Sequence, residues 1–355
     1  MKNVILNSKG EVLKLTPTEQ AIANSLQLEL RNPKYAAINN DLGFEINITS
    51  LTQIVKEISE QKFYTVPFAE YMPVVIGNGA WSSNLVTYRD FQMAGDFENG
   101  VIDTASDNAK LASVSSGVDS ITVPVINWAM QTGWSLFDLK QAARSGNWDL
   151  VSSREKARKR RWDLGLQDIA FVGMKSNTAI RGLLNQTNVT SNTSLITQYI
   201  STMNATQMQA LVAGILGAYR SNSQFTAYPT HFIIPELDYN GLCVPYVGTV
   251  GTYPVPTLEY LLSMFRTLTR NPNFQILPSA YCDEVNNTPY VGLGKNRYVL
   301  LNKESESLRM DIPVDYTSTL QNTINGFQFQ SVGYGQFTGV KAYREREMLY
   351  FDFTV

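Results

Sequence analysis

One long helical segment constrains the fold of this chain more than any other part of its sequence. The pattern covers residues 148–172, a length of roughly 37 Å. A shorter helix, predicted over 135–144, ends before it at Gly146. Apolar residues recur at helical spacing in two stripes, which predict a buried face. The stripes are Leu150, Ala157, Leu164 and Phe171, and Trp162, Leu166 and Ile169.

The middle turns of this helix are strongly basic. Glu155 is the single acidic residue among six positive ones, namely Arg154, Lys156, Arg158, Lys159, Arg160 and Arg161. Like charges four residues apart, such as Arg154 and Arg158, destabilise an isolated helix. We therefore expect an acidic surface to lie against these turns. The alternatives are a solvated charged face or non-specific contact with nucleic-acid phosphates.

An acidic segment precedes the helix in a region of short strands broken by Gly, Asn and Ser. It contains no Lys or Arg, and its acidic residues are Asp90, Asp96, Glu98, Asp103 and Asp107. The turn Gly77-Asn78-Gly79 lies before it and a Ser/Gly-rich patch after it. We interpret residues 77–116 as a protruding, two-stranded loop.

The two ends of the chain complete an α+β pattern. Two capping signatures, Thr16-Pro17-Thr18-Glu19 and Ser50-Leu51-Thr52-Gln53, predict short helices before any sheet. After a Thr/Asn/Ser linker that ends near residue 194, a second region combines helices with strands. Its helices are predicted over 206–221 and 258–270, and its strands over 230–235, 274–277 and 298–301. Strands in 328–353 are expected to return to the first sheet.

Composition limits the classes of function. Charged residues make up 17% of the chain, below the roughly 25% of ordinary soluble domains. Either other subunits cover much of the surface, since interface cores are depleted in charge, or Asn, Gln, Ser and Thr replace charge on a solvated surface. The net charge of −2 excludes a globally basic nucleic-acid binder.

No arrangement of residues predicts an active site, a cofactor or a metal. The only histidine, His231, lies in a buried-strand pattern, and the Gly-rich segments lack phosphate-loop spacing. Asp283-Glu284 and Asp96/Glu98 are interpreted as polar-loop residues without apolar flanks that would shift a pKa. Cys243 and Cys282 are isolated, and no segment has the roughly 18 apolar residues of a membrane span. We expect an unexported protein of reducing cytoplasm.

The order of these elements resembles that of the Hong Kong phage type of major capsid protein, whose fold is shared with bacterial encapsulins. The resemblance is clearest from Ile121 to Asn185, where a strand, the helix start Trp-Ser-Leu-Phe-Asp-Leu, the long helix and Gly-Leu-Leu-Asn follow one another. A second likeness is the tail from Gly339 to Phe353. The match covers nearly the whole chain.

The resemblance implies a division into an arm and two domains. Residues 1–62 would form an N-terminal arm that docks on neighbouring subunits. A peripheral domain would comprise 63–194 and 326–355, with the extended loop at 77–116 and a spine helix at 148–173. An axial domain would comprise 195–325. Subunits would form hexamers and pentamers of an icosahedral-type shell enclosing double-stranded DNA. An encapsulin-type shell is the alternative, and a carboxylate-based enzyme is a distant one.

The resemblance also suggests where subunits meet. In that fold the extended loop lies across an adjacent subunit near its spine helix, so the acidic loop is expected to contact the basic turns of a neighbour. The rival interpretation directs the basic turns towards packaged DNA. A second surface is predicted at the symmetry axis, in an uncharged loop containing Tyr246, Gly248, Thr249, Gly251 and Tyr253.

The expected partners are further copies of the chain and DNA bound without sequence preference. Portal, decoration and scaffolding proteins would join them, and no membrane is involved. The expected location is the virion, after assembly in the host cytoplasm.

Overall fold

The computed structural model describes residues 62–94, 98, 115–144, 149–248, 251–291 and 293–354. The two helices predicted in the arm, and most of the acidic loop, lie outside these residues.

Helices and mostly antiparallel strands make up the described chain, which confirms the α+β class. The helices are α1 Leu136–Arg144, α2 Leu150–Val172, α3 Ala205–Asn222, α4 Glu236–Leu242, α5 Thr257–Thr269 and α6 Glu284–Val291. The strands before α3 are β1 Val74–Ile76, β2 Asn84–Ala94, β3 Ser115–Pro124, β4 Ile126–Ser135 and β5 Thr190–Asn192. Those from β6 to β10 are β6 His231–Pro235, β7 Pro245–Gly248, β8 Gly251–Pro256, β9 Gln275–Ser279 and β10 Asn296–Leu301. The remaining strands are β11 Leu308–Ile312, β12 Val314–Ser318, β13 Asn322–Thr323, β14 Gln328–Phe337, β15 Val340–Ala342 and β16 Met348–Phe353.

A central sheet in the order β5-β16-β10-β6-β9 separates two apolar cores. Strand β10 pairs antiparallel with β6 and with β16, whereas β9 lies parallel to β6. Alternate side chains point to opposite faces of a strand, so Phe232 and Ile234 enter the core that contains α3 and α5. Ile233 and Val299 enter the core that contains the end of α2. Burial on both faces explains the nearly continuous apolar sequences of β6, β10 and β16.

Helix α2 packs on a second sheet, formed by β4, β14, β12 and β13. Strands β4 and β14 pair over ten residues, from Ile126 opposite Phe337 to Ser135 opposite Gln328. The helix begins at Leu150 because the Asp149 carboxylate accepts a hydrogen bond from the Ser152 amide.

Strands β2 and β3 form a long antiparallel ribbon. They pair from Asn84 opposite Pro124 to Ala94 opposite Ser115, with an irregularity between Asp90 and Gln92. Within the described residues neither strand joins another sheet. The paired strands extend to Pro124, beyond residue 116, where the extended loop was predicted to end.

The strand pairings cross the domain boundaries predicted from the sequence. The first sheet of the sequence prediction corresponds to the sheet that contains β4, and β14 joins it as expected. Strand β16 instead pairs with β10 and β5 in the central sheet. The expectation that the whole of 328–353 joins the first sheet is therefore wrong for β16. The division into peripheral and axial domains stays a prediction.

Candidate assembly surfaces

A buried arginine attaches α2 to the second sheet. Arg158 is only 2% exposed. Its Nε donates to the Tyr316 hydroxyl at 2.7 Å, and Nη1 donates to the Ser331 carbonyl at 2.7 Å and to Thr132 Oγ1 at 3.1 Å. Nη2 donates to Ser318 Oγ at 2.7 Å and to Ser331 Oγ at 3.0 Å. All five guanidinium donors are thus satisfied by β4, β12 and β14.

Two glycines of β14 make room for this face of α2. A Cβ atom on Gly333 would lie 2.7 Å from Nε of Arg158, and one on Gly335 would lie 2.5 Å from the Trp162 ring. Both distances are shorter than a real Cβ contact, so larger residues would force the helix off the sheet. Arg158 and Trp162, one turn apart, therefore share the buried face of the helix.

The buried position of Arg158 corrects the prediction that placed this residue at a subunit contact. Its guanidinium is fully used within the chain. The prediction that the first apolar stripe is buried is also wrong for its two middle residues, because Ala157 is exposed and Leu164 is only half-buried.

Two neighbours of Arg158 also have contacts within the chain. Arg154 donates to the Gly133 carbonyl and lies 3.9 Å from the Asp138 carboxylate of α1. Glu155 accepts a hydrogen bond from Ser331 Oγ at 3.0 Å. The single acid of the basic turns thus faces the sheet.

The remaining basic residues form an exposed surface, which we call the basic patch. Its members are Lys156, Lys159, Arg160 and Arg161, all on the solvent side of α2. Desolvation raises the pKa of nearby Asp163, and the positive charges of Lys159 and Arg160 oppose that rise. The patch is thus smaller than the sequence predicted but keeps four positive charges.

The structure describes only part of the predicted acidic loop. Asp90 lies in β2, and Glu98 is exposed. Asp96, Asp103 and Asp107 lie outside the described residues. Because the predicted contact joins two different copies, pairing of this loop with the basic patch stays a prediction.

The uncharged loop predicted at the symmetry axis contains a β-hairpin. Tyr246 and Gly248 lie in β7, and Gly251 and Tyr253 lie in β8. Gly248 pairs directly with Gly251 across the hairpin, and Thr249 lies outside the described residues. The axial position of the hairpin stays a prediction.

An exposed tryptophan is the feature that the sequence interpretation missed. Trp81 follows the turn Gly77-Asn78-Gly79 and lies beside Tyr334 of β14, with ring centroids 6.0 Å apart. Its signal in the sequence is a large aromatic residue two positions after a glycine turn, where apolar side chains are uncommon.

His231 and Asp283, two of the groups that were considered for acid–base chemistry, are both buried. Burial, followed by the charge of Lys303, lowers the pKa of His231 to about 4. Burial raises the pKa of Asp283 to about 6, which corrects the interpretation of this residue as part of a polar loop. The Asp283 carboxylate accepts hydrogen bonds from the amides of Glu236 and Leu237, the first residues of α4.

No cluster of three or more His, Cys, Asp or Glu side chains among the described residues could hold a metal ion. None of the helices in the described ranges is both long and apolar enough to span a membrane. Cys282 is buried and Cys243 exposed, and both are free thiols.

Solved structures similar to this chain include phage capsids. The capsid of Myoviridae phage XM1 matches with a TM-score of 0.70 and 17% identity, covering 86% of this chain and 97% of the other. A structure from Mycobacterium phage Ogopogo matches with a TM-score of 0.55 and 9% identity, covering 87% of this chain and 98% of the other. The capsid of a native GTA particle matches with a TM-score of 0.53 and 10% identity, covering 86% and 96%. Among curated proteins no sequence matches.

These likenesses define the fold as that of a capsid shell subunit. A family model described as major capsid protein matches residues 101–353. The chain belongs to the major capsid protein family, and it is a structural, shell-forming protein. The resemblance inferred from the order of its elements is confirmed at the level of the family.

Proposed function

We propose that this chain forms hexamers and pentamers of an icosahedral-type shell that encloses double-stranded DNA. The observation that carries the proposal is the phage XM1 capsid fold, which this chain matches over 86% of its length. The proposed partners are copies of itself, packaged DNA bound through phosphates, and portal, decoration and scaffolding proteins. The shell acts as a container in the virion after assembly in host cytoplasm, and the chain catalyses no reaction.

Electron microscopy of the purified chain, and of particles from an infected host, tests the proposal. We expect closed shells with hexameric and pentameric units, and particles from the host should contain nuclease-protected double-stranded DNA. An encapsulin-type shell would instead enclose a cargo protein and no protected DNA. Finding cargo without DNA would favour that alternative, and finding no shells would contradict both.

The basic patch is proposed to contact the acidic loop of an adjacent subunit. Four positive side chains on one exposed helix face complement a loop whose charged residues from 90 to 107 are all acidic. Single exposed ion pairs contribute only about 0–1 kcal/mol, but a network repeated at every junction can fix register and disfavour wrong contacts. The rival partner of the patch is DNA phosphate inside the shell.

Charge reversal on the patch separates these two partners. Lys159→Glu with Arg161→Glu should reduce the yield of empty shells by about tenfold or more, because like charges would meet at each junction. Asp96→Lys with Glu98→Lys in the same chain should restore part of that yield. Arg158 is kept unchanged because its charge is buried. Sucrose-gradient sedimentation measures the yield, and normal empty shells with impaired DNA retention would favour the DNA contact.

The hairpin β7–β8 is proposed to meet its copies at the centres of hexamers and pentamers. Its segment from Tyr246 to Tyr253 carries no charge, and a charge at an axis would face five or six like charges. Thr249→Asp should therefore weaken isolated capsomers by about tenfold or more, while Thr249→Ser should not. Native gels report the capsomer fraction, and an unchanged fraction in the Asp variant would contradict an axial position.

A further inference from the structure

Trp81 is held in a backbone conformation that bulky residues rarely adopt. Its φ angle is +66°, in the left-handed region. Its side chain is nevertheless 70% exposed, so burial of the indole within this chain does not offset the cost. A strained residue that displays a large apolar side chain indicates a functional constraint.

A buried glutamine fixes the conformation. Gln336 is 4% exposed, and its Oε1 accepts a hydrogen bond from the Trp81 amide at 2.8 Å. Its Nε2 donates to Asn127 Oδ1 at 2.6 Å. The glutamine amide is thus oriented by β4 and in turn orients the backbone of Trp81. The backbone of Trp81 is therefore held within the subunit, with its indole beside Tyr334.

The indole borders an open cavity of about 480 Å³. The residues that line it include Trp81, Ser82, Asn127, Ala129, Tyr334 and Gln336. Among the described residues that line it, none carries a charge. An aromatic wall with a few amide and hydroxyl groups suits an uncharged side chain. Tryptophan and tyrosine are also among the residues that contribute most to binding at protein interfaces.

We propose that this cavity, the Trp81 socket, receives an uncharged apolar side chain from a second copy of this chain. The proposal rests on the proposed function, since it names a contact used in shell assembly. It assigns to Trp81 and Tyr334 the role of a preformed anchor point.

The adjoining ribbon indicates that the occupant is a second copy. Ser82 and Ser83 of the socket lead directly into β2, whose Val86 and Tyr88 are exposed, Tyr88 to 73%. A two-stranded ribbon is marginally stable alone, and within the described residues β2 and β3 pair only with each other. In a shell built from copies of one chain, neighbouring copies supply most of the surface that could cover this ribbon. The socket continues the same surface.

Two substitutions at Trp81 separate docking from folding. Glycine adopts positive φ readily, so Trp81→Gly should leave the Tm of the unassembled subunit within about 3 °C of wild type. The same variant should raise the protein concentration needed for shell formation by about tenfold or more. Trp81→Phe keeps an aromatic ring and should restore most of the assembly. A Tm loss well beyond that range, with assembly falling only in proportion, would assign Trp81 to folding and overturn the proposal.

Photo-cross-linking identifies the occupant. A photoreactive phenylalanine analogue in place of Trp81 should give, in assembled particles, a product of twice the 39.7 kDa chain mass. A cross-link only to a different protein, or none between chains, would overturn the proposal. Normal assembly of Trp81→Gly would overturn it while leaving the proposed function intact. A wild-type chain that forms no shells would overturn both.

Discussion

Arg158→Glu should destabilise the subunit by about 3–5 kcal/mol or more, a large share of the stability of a typical domain. The wild-type guanidinium donates to acceptors on three strands of the second sheet, and its side chain has no exposed surface. A carboxylate there would face the Ser331 carbonyl, with the half-buried Glu155 one turn away. The variant should be largely unfolded and should form no shells. Urea unfolding followed by circular dichroism measures the change.

Arg161→Glu is the matched control, because Arg161 lies one turn along the same helix but is exposed. Its stability should lie within about 0.5 kcal/mol of wild type. Arg158→Met, which keeps the volume but removes the charge, should lose about 1–3 kcal/mol because the Ser331 carbonyl loses its partner. Equal unfolding midpoints for Arg158→Glu and Arg161→Glu would contradict the buried network.

The burial of Arg158 illustrates which part of the structure the sequence could predict. The position and length of α2 followed from its apolar spacing and its flanking glycines, and the helix begins and ends within two residues of the prediction. The side of the helix that faces the sheet was partly misjudged, because an arginine was assumed to be solvated. Trp162 and Leu166 are buried, and extending their row by one turn reaches Arg158.

The signal that could have located the buried arginine lies far away in the sequence. Gly333 and Gly335 alternate along β14, so both face α2 and leave space for long side chains. Serines at 318 and 331 then supply the acceptors. Recognising this requires knowing that β14 packs under α2, and such long-range pairing is not encoded by local periodicity.

The predicted domain division was limited for the same reason, because local sequence patterns do not show which strands pair. The apolar sequence of β16 predicts a buried strand but does not identify the neighbouring strand. In the structure β16 pairs with β10 of the central sheet, and not with the sheet that contains β4 and β14. The Trp81 socket likewise combines residues near 81, 127 and 336, which only the folded chain brings together. The surfaces proposed to join copies, the basic patch and the hairpin, were predicted from charge and from the family resemblance.

A buried ion pair connects three strands of the central sheet. Arg297 of β10 donates from Nε and Nη2 to the two carboxylate oxygens of Asp352 in β16, at 2.6 and 2.7 Å. Nη1 donates to the Leu184 carbonyl, and Ser191 of β5 donates to Asp352 at 2.5 Å. The Arg297 guanidinium also lies 4.3 Å from the centroid of the Tyr350 ring. The charges of Arg297 and Asp352 thus neutralise each other inside the core.

Asp352→Ala should cost about 3–5 kcal/mol of subunit stability, because it leaves the Arg297 guanidinium buried without its counter-charge. Asp352→Asn keeps the shape and separates charge from packing. It should still lose stability at neutral pH, though less than Asp352→Ala. Chemical unfolding of both variants beside wild type measures the difference.

Acid titration tests the charge directly. Burial alone would raise the pKa of Asp352, but the hydrogen bonds and charge of Arg297 outweigh it and hold the pKa below its usual range. A carboxylate whose folded pKa is lowered contributes stability above its unfolded pKa of about 3.9, and that contribution is lost as the pH falls through the folded value. Wild type should therefore lose stability more steeply than Asp352→Asn below about pH 4. Parallel pH–stability curves for the two proteins would show that the charge of Asp352 does not stabilise the fold.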